Sequence, residues 1–256
     1  GTVGLIGAGT SIANAFREST VAVTLNNADL SSTSVDVIAR RFGTVEADVD
    51  FLSVGLAAVG VTSALARDTS DVSIDLGNAK LSGINVKVEA LNAGDVLSDA
   101  KGNIGGLGAA GVHNSNARKI SETSILGSLF RLTATNVTMI AKDNVLNGPN
   151  ARVVATARST TIGGVAVGGS LAQARNESDV LVDIDFEKVF VSQDLEIRAL
   201  NETDLEYLSR GKVGGAVGIG GSLARGRDTS SAVMRLTATD RFEAFGDFTA
   251  LAGGNT

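Results

Sequence analysis

Five segments of this chain repeat one pattern: an apolar residue, a run rich in Gly and Ala, and a closing Arg. They read VGLIGAGTSIANAFRES from Val3, VGLAAVGVTSALARDTS from Val54 and IGGLGAAGVHNSNARKIS from Ile104. The last two are IGGVAVGGSLAQARNES from Ile162 and VGGAVGIGGSLARGRDTS from Val213. The starts recur at intervals near 51 residues, except that the step from the third to the fourth is about seven residues longer. Self-similarity at such a period marks a repeat array, in which each unit buries its apolar face only by stacking on its neighbours.

Each repeat continues in the same order. A Ser/Thr/Asp-rich stretch follows the Arg and is expected to be a turn. Alternating segments come next: STVAVTL at 19–25, SDVSIDL at 70–76 and SDVLVDI at 178–184. A second alternating segment follows: VDVIA from Val35, VKVEA from Val86, VTMIA from Val137 and LEIRA from Leu195. The fifth repeat keeps Phe248, Ala250 and Ala252 at the matching places. Period-2 alternation of Val, Ile and Thr specifies half-buried strands, and no window carries a capped helical stripe.

The apolar members fall into columns. Val35, Val86, Val137, Leu195 and Phe248 make one; Val37, Val88, Met139, Ile197 and Ala250 make the next inward. Gly inside a strand is unfavourable unless another backbone comes close. The Gly/Ala runs are therefore expected to lie flat against an opposing sheet, with large residues facing small ones. A repeat of this length closes either as one wide coil or as two narrow ones of about 25 residues. Ile162–Ile184 is Gly-rich and then alternating, whereas Asp185–Lys212 is charged and Gly-poor. Unlike halves favour one wide coil, with like stacking on like.

The expected fold is thus all-β: a mostly parallel β-solenoid (β-helix-like) of five repeats at 3–53, 54–103, 104–161, 162–212 and 213–256. It is read as a single continuous array over 1–256, an excerpt of a longer chain. The extra length of the third repeat is expected in a surface loop at Asn147-Gly148-Pro149-Asn150, which holds the one proline.

Composition narrows the function. With no Cys, thiolate metal sites, Cys nucleophiles and disulfides are excluded. One His excludes sites that need two imidazoles. No Trp and a single Tyr, Tyr207, leave almost no platform for stacking sugars or bases. A net charge of −6 without a basic cluster argues against nucleic acid.

Several motifs look chemical. Gly106–Gly111 matches GxGxxG, but strands rather than a helix follow, and the run recurs in every repeat. His113 lies in a Gly/Ala run with no GxSxG elbow and no indicated acid, and is expected to be exposed or incidental. Asp48/Asp50 and Asp183/Asp185 are i, i+2 pairs on one strand face, expected outward and solvated. Arg17, Arg67, Arg118, Arg175 and Arg227, with their acidic neighbours, are expected to stack at a corner as a charge ladder. The Asn-x-Ser/Thr triplets at Asn136, Asn176 and Asn201 carry no weight in so Ser/Thr-rich a chain. The uncharged stretch Phe51–Ala66 is too short and too interrupted for a membrane helix, and a membrane barrel needs aromatic girdles. No catalytic, cofactor-binding or metal residue is assigned, and no cofactor beyond weak surface calcium.

The pattern GGxxVGGSLAxAR, then VxVxI, then LxVxALN, is carried by Gly163–Arg175, Val180–Ile184 and Leu195–Asn201 and extends over all five repeats. It resembles repeats of giant bacterial filamentous adhesins, of the leukotoxin type, and of filamentous-haemagglutinin-like exoproteins. The resemblance implies a secreted, non-catalytic stalk or filament segment at the bacterial cell surface. Partners would be adjoining repeats or further subunits end to end and a host-cell, neighbouring-cell or glycan receptor, with neither nucleic acid nor membrane insertion. The alternatives are a β-helical carbohydrate-active enzyme or tail-spike-like protein, and a binding module using the loop at 147–150.

Overall fold

The structure, a computed structural model, describes residues 2–143 and 151–254. Among these there are strands and no helices. In chain order they are β1 (Thr2–Thr24), β2 (Asp29–Ser31), β3 (Ser34–Asp75), β4 (Lys80–Asp143) and β5 (Ala151–Val191). Then come β6 (Leu195–Asn201), β7 (Thr203–Gly214), β8 (Val217–Asp228), β9 (Ser231–Ala244) and β10 (Phe248–Gly254). All ten belong to one sheet, and the pairings between them are parallel.

Register repeats the sequence period. Gly4 lies opposite Gly55, Val35 opposite Val86, and Arg67 opposite Arg118, an offset of 51 residues each time. Across β4 and β5 the offset becomes 57, as in Val96 opposite Val153; between β5 and β8 it is 52, as in Val165 opposite Val217. Asn136 still bonds to Asn85, 51 residues back, so the extra residues enter between Asn136 and Val153. That interval contains the Asn147–Asn150 loop, which lies outside the described residues.

The pleat corrects the repeat starts at two places. Opposite Val54 stands Gly105, not Ile104, and opposite Ile162 stands Gly214, not Val213. A one-residue slip moves a side chain to the other face. Val54 and Ile162 point outward, 40% and 59% exposed, whereas Ile104 is 2% exposed and reaches over the glycines. The first apolar letter of each run therefore mixes two faces of the sheet.

The expected turn after each Arg is also corrected. β3 runs unbroken through 67–71 and β5 through 175–179; the strand is interrupted there only after Asp228, in the last repeat. The Ser and Asp side chains bond across the interior rather than to their own backbone, so nothing ends the strand. The sharp turn comes later, at Leu76–Ala79, where Gly77 has φ of +49° and Ala79 N–H bonds to Leu76 C=O. In the preceding layer Asn27 takes φ of 55°, and its side chain accepts a 2.7 Å bond from Asn78 Nδ2.

Large residues do face small ones. A Cβ at Gly60 would meet Phe51 at 2.3 Å and Ile104 at 2.9 Å, and one at Gly226 would meet Tyr207 at 2.2 Å. The partner of the Gly/Ala run is the row Val45, Ala47, Val49 and its equivalents. With Ala64 and Ala66 these make one apolar cluster. The Val35 and Val37 columns instead pack on Val72, Ile74, Val180 and Val182 in a second, wider cluster. Its rings Phe130 and Phe186 begin a ladder that continues to the partly exposed Phe242, with centroids 5.8 and 6.0 Å apart.

Candidate functional site

Between the two apolar clusters lies a buried polar seam. One wall is the column Asp68, Lys119, Asn176, which follows Arg17 and leads to Asp228. Two residues further along runs a column of serines, Ser19, Ser70, Ser121 and Ser178. The facing wall carries Arg41, Asn92, Asp143 and Asn201. From Asp68 through Asn201 the seam residues are at most 4% exposed.

The seam residues bond to one another, and of their side-chain oxygens Asp68 Oδ2 and Asn201 Oδ1 have no partner among the described residues. Arg41 donates to Ser19 Oγ at 2.9 Å, to Asn92 Oδ1 at 3.2 Å and to Asp68. Asn92 Nδ2 donates to Ser70 Oγ at 3.0 Å. Lys119 Nζ donates to Asp143 at 2.5 Å, and Ser121 donates to the other oxygen of that carboxylate. Asn201 Nδ2 donates to Ser178 C=O at 2.7 Å, and Ser178 Oγ donates to Asn176. Isolated buried charges are strongly unfavourable, and pairing with full hydrogen bonding makes them tolerable. Lys119 and Asp143 have fully buried side chains. No substrate reaches them, and their chemistry is that of a strut.

The seam rewrites the expected Arg ladder. Arg67, Arg118, Arg175 and Arg227 do share a column, but it lies in mid-strand and faces outward, and Phe16 holds its place in the first layer. Arg17 stands one residue further on, opposite Asp68. The closing Arg of the first run is thus an in-facing equivalent of Asp68, which sequence order alone hides.

His113 is buried, not exposed. It fills the space over Gly102, where a Cβ would lie 1.7 Å from its Cε1, and its Nδ1 is 2.7 Å from Thr62 Oγ1. Nε2 has no hydrogen-bond partner, and burial pushes the imidazole pKa below its ordinary value. No acid bonds to the ring. The glycines of Gly106–Gly111 lie within β4, with Gly111 beneath Ile104 and close to His113.

The acidic pairs face outward. Asp50 lies opposite Lys101, Asp183 is 3.5 Å from Arg235, and Asp185 accepts from Thr237 at 2.9 Å. Among the described residues no three His, Cys, Asp or Glu side chains cluster as a metal site. Asn176 and Asn201, from the Asn-x-Ser/Thr triplets, are buried in the seam. Glu89, 1% exposed, is gripped by Arg40 from the neighbouring layer and, at 2.6 Å, by Lys87 two residues before it on the same strand. Burial pushes its carboxyl up, and the two hydrogen bonds more than offset this, holding its pKa below the usual glutamate range.

No helix among the described residues is long and apolar enough to cross a membrane. Compared with protein-family models, curated proteins and solved structures, the chain matches none of them.

Proposed function

We propose that this chain is a five-coil parallel β-solenoid serving as a rigid, non-catalytic stalk or filament segment of a large secreted bacterial surface protein, in the manner of an adhesin. The observation that carries the reading is the in-register pairing of equivalent residues one repeat apart, from Gly4 opposite Gly55 to Arg175 opposite Arg227. Arrays of this kind gain stability from nearest-neighbour interfaces and grow by addition of layers. The polar groups support the same use. The buried ones tie the two walls of each layer together, with Arg41 and Ser121 also reaching the next layer, and outward acids pair with cations or hydroxyls of neighbouring layers. Adjoining repeats or further subunits would meet the end layers, and a cell-surface or glycan receptor would lie outside this segment.

The reading is tested on intact source cells with antibodies raised against the chain. Label on extracellular filaments or the outer surface is expected. Label that appears only after lysis would contradict it.

A further inference from the structure

The uncharged runs fall on one outer face of the sheet. Outward positions in successive layers carry Val59, Val61, Val112, Val165, Val167 and Ile219, 41% to 64% exposed. From the edge, where Leu5, Leu56 and Leu107 are 54% to 76% exposed, the first eight residues of this face along each strand are mostly apolar, and the first charge follows nine to twelve residues on. At about 3.3 Å per residue and about 4.8 Å per strand, five layers make a flat apolar face of roughly 26 by 24 Å. A contiguous apolar patch of that size on an outer wall marks an interaction surface.

Its borders are cationic. At the far end of the face stands the outward column Arg67, Arg118, Arg175 and Arg227. Around the edge, on the other wall, the column Asp50, Lys101, Arg158 and Arg210 points away from this face, and Lys212, two residues on, stands nearest the edge. Arg118 is paired with Glu177 and Lys101 with Asp99, but the fourth and fifth layers differ. There Arg225 and Arg227, on the face, and Arg210 and Lys212, around the edge, are exposed and have no carboxylate within ion-pair distance among the described residues. Tyr207–Arg227 holds four cations and no acid in a chain whose net charge is −6.

We infer that this face docks flat on an anionic lipid surface, its Val, Ile and Leu side chains entering the headgroup boundary while the Arg column at its far end and Lys212 at its edge meet lipid phosphates. Apolar area combined with cations is the recipe for interfacial binding, and each Lys or Arg near an anionic leaflet adds about 1 kcal/mol. A second copy fits poorly. Face to face, both cation borders would meet cation borders, and like charges juxtaposed across an interface are unfavourable. Nucleic acid fits poorly as well, because the centre of the face offers no ring for stacking. The inference rests on the sheet face alone and does not depend on the stalk reading.

The test is flotation of the chain with vesicles of phosphatidylcholine, alone or mixed with phosphatidylglycerol. Binding to the mixed vesicles only, weakening with salt, is expected. Val167→Asp with Ile219→Asp, and separately Arg225→Glu with Arg227→Glu, should each reduce it at least about tenfold. All four positions point to solvent, and an unchanged circular dichroism spectrum checks the fold. Absence of binding to mixed vesicles overturns the inference. So does binding that the Asp variant leaves intact, equal affinity for duplex DNA, or a concentration-dependent dimer that the Asp variant abolishes.

Discussion

Lys119 and Asp143 form an ion pair from which solvent is wholly excluded, with Nζ 2.5 Å from Oδ1 and both side chains at 0% exposure. The pair spans the interior between two apolar clusters and joins opposite walls of the sheet. Removing one partner leaves a buried charge without compensation. Lys119→Met is expected to destabilise the fold by roughly 3–5 kcal/mol, whereas Lys119→Met with Asp143→Leu should recover most of the loss. Urea titrations of the three proteins measure both; a single variant as stable as the parent would show that the seam holds nothing together.

His113 and Gly102 are a matched large and small pair. Gly102→Ala forces a Cβ into the ring and should destabilise by about 1–3 kcal/mol. His113→Ser, which installs the residue type found opposite it at Ser170, should relieve that cost in the double variant. A double-mutant cycle with no coupling between 102 and 113 would contradict the packing.

The same histidine gives a pH dependence with a defined sign. Its folded pKa lies below the ordinary value of about 6.5, so between the two values the unfolded chain binds the proton and the folded chain does not. The stabilisation is complete above about pH 6.5 and falls as pH drops through that value toward the folded pKa. As the one histidine, it titrates in this window free of other side chains of its kind. The urea midpoint should fall between pH 7.5 and pH 5.5, a span of about 2 units, and His113→Ser should flatten that slope. A slope that persists in the variant would assign it elsewhere.

Phe186 sits between Phe130 and Phe242, with rings at 5.8 and 6.0 Å. Phe186→Ala is expected to cost about 3–5 kcal/mol, read from the shift in denaturation midpoint. Phe245→Ala, at a position 66% exposed, should cost far less. Equal effects would mean that the ladder contributes nothing beyond surface.

Much of the fold was legible because strand alternation and repeat spacing act together. Val35 opposite Val86 and Val37 opposite Val88 follow from the letters alone. The seam was not legible, because Ser, Asp and Asn are also the residues of turns. Ser70 and Asp68 read as a loop until Asn92 and Arg41 are placed across from them. The recurring Ser19, Ser70, Ser121 and Ser178, two places beyond the seam column, were the available signal. Arg17 and Ile104 sit one residue away from their letter-matched places for a related reason: similar letters do not tell which face the pleat presents. The apolar outer face is not legible in any one uncharged run, because each is too short and interrupted to signify alone, and only stacking sums the runs into a surface.

The central claim, that equivalent residues one repeat apart stack directly, is tested most simply by cross-linking in this cysteine-free chain. Ser31 and Ser82 are register partners with hydroxyls 2.9 Å apart. Neighbouring strands about 4.8 Å apart place Cα atoms within the span a disulfide bridges. Ser31→Cys with Ser82→Cys should oxidise to an intramolecular disulfide, detected by a mobility shift that reductant reverses. Ser31→Cys with Ala57→Cys, half a repeat away, should not. Ready cross-linking of 31 to 57, or none between 31 and 82, would contradict stacking of like on like.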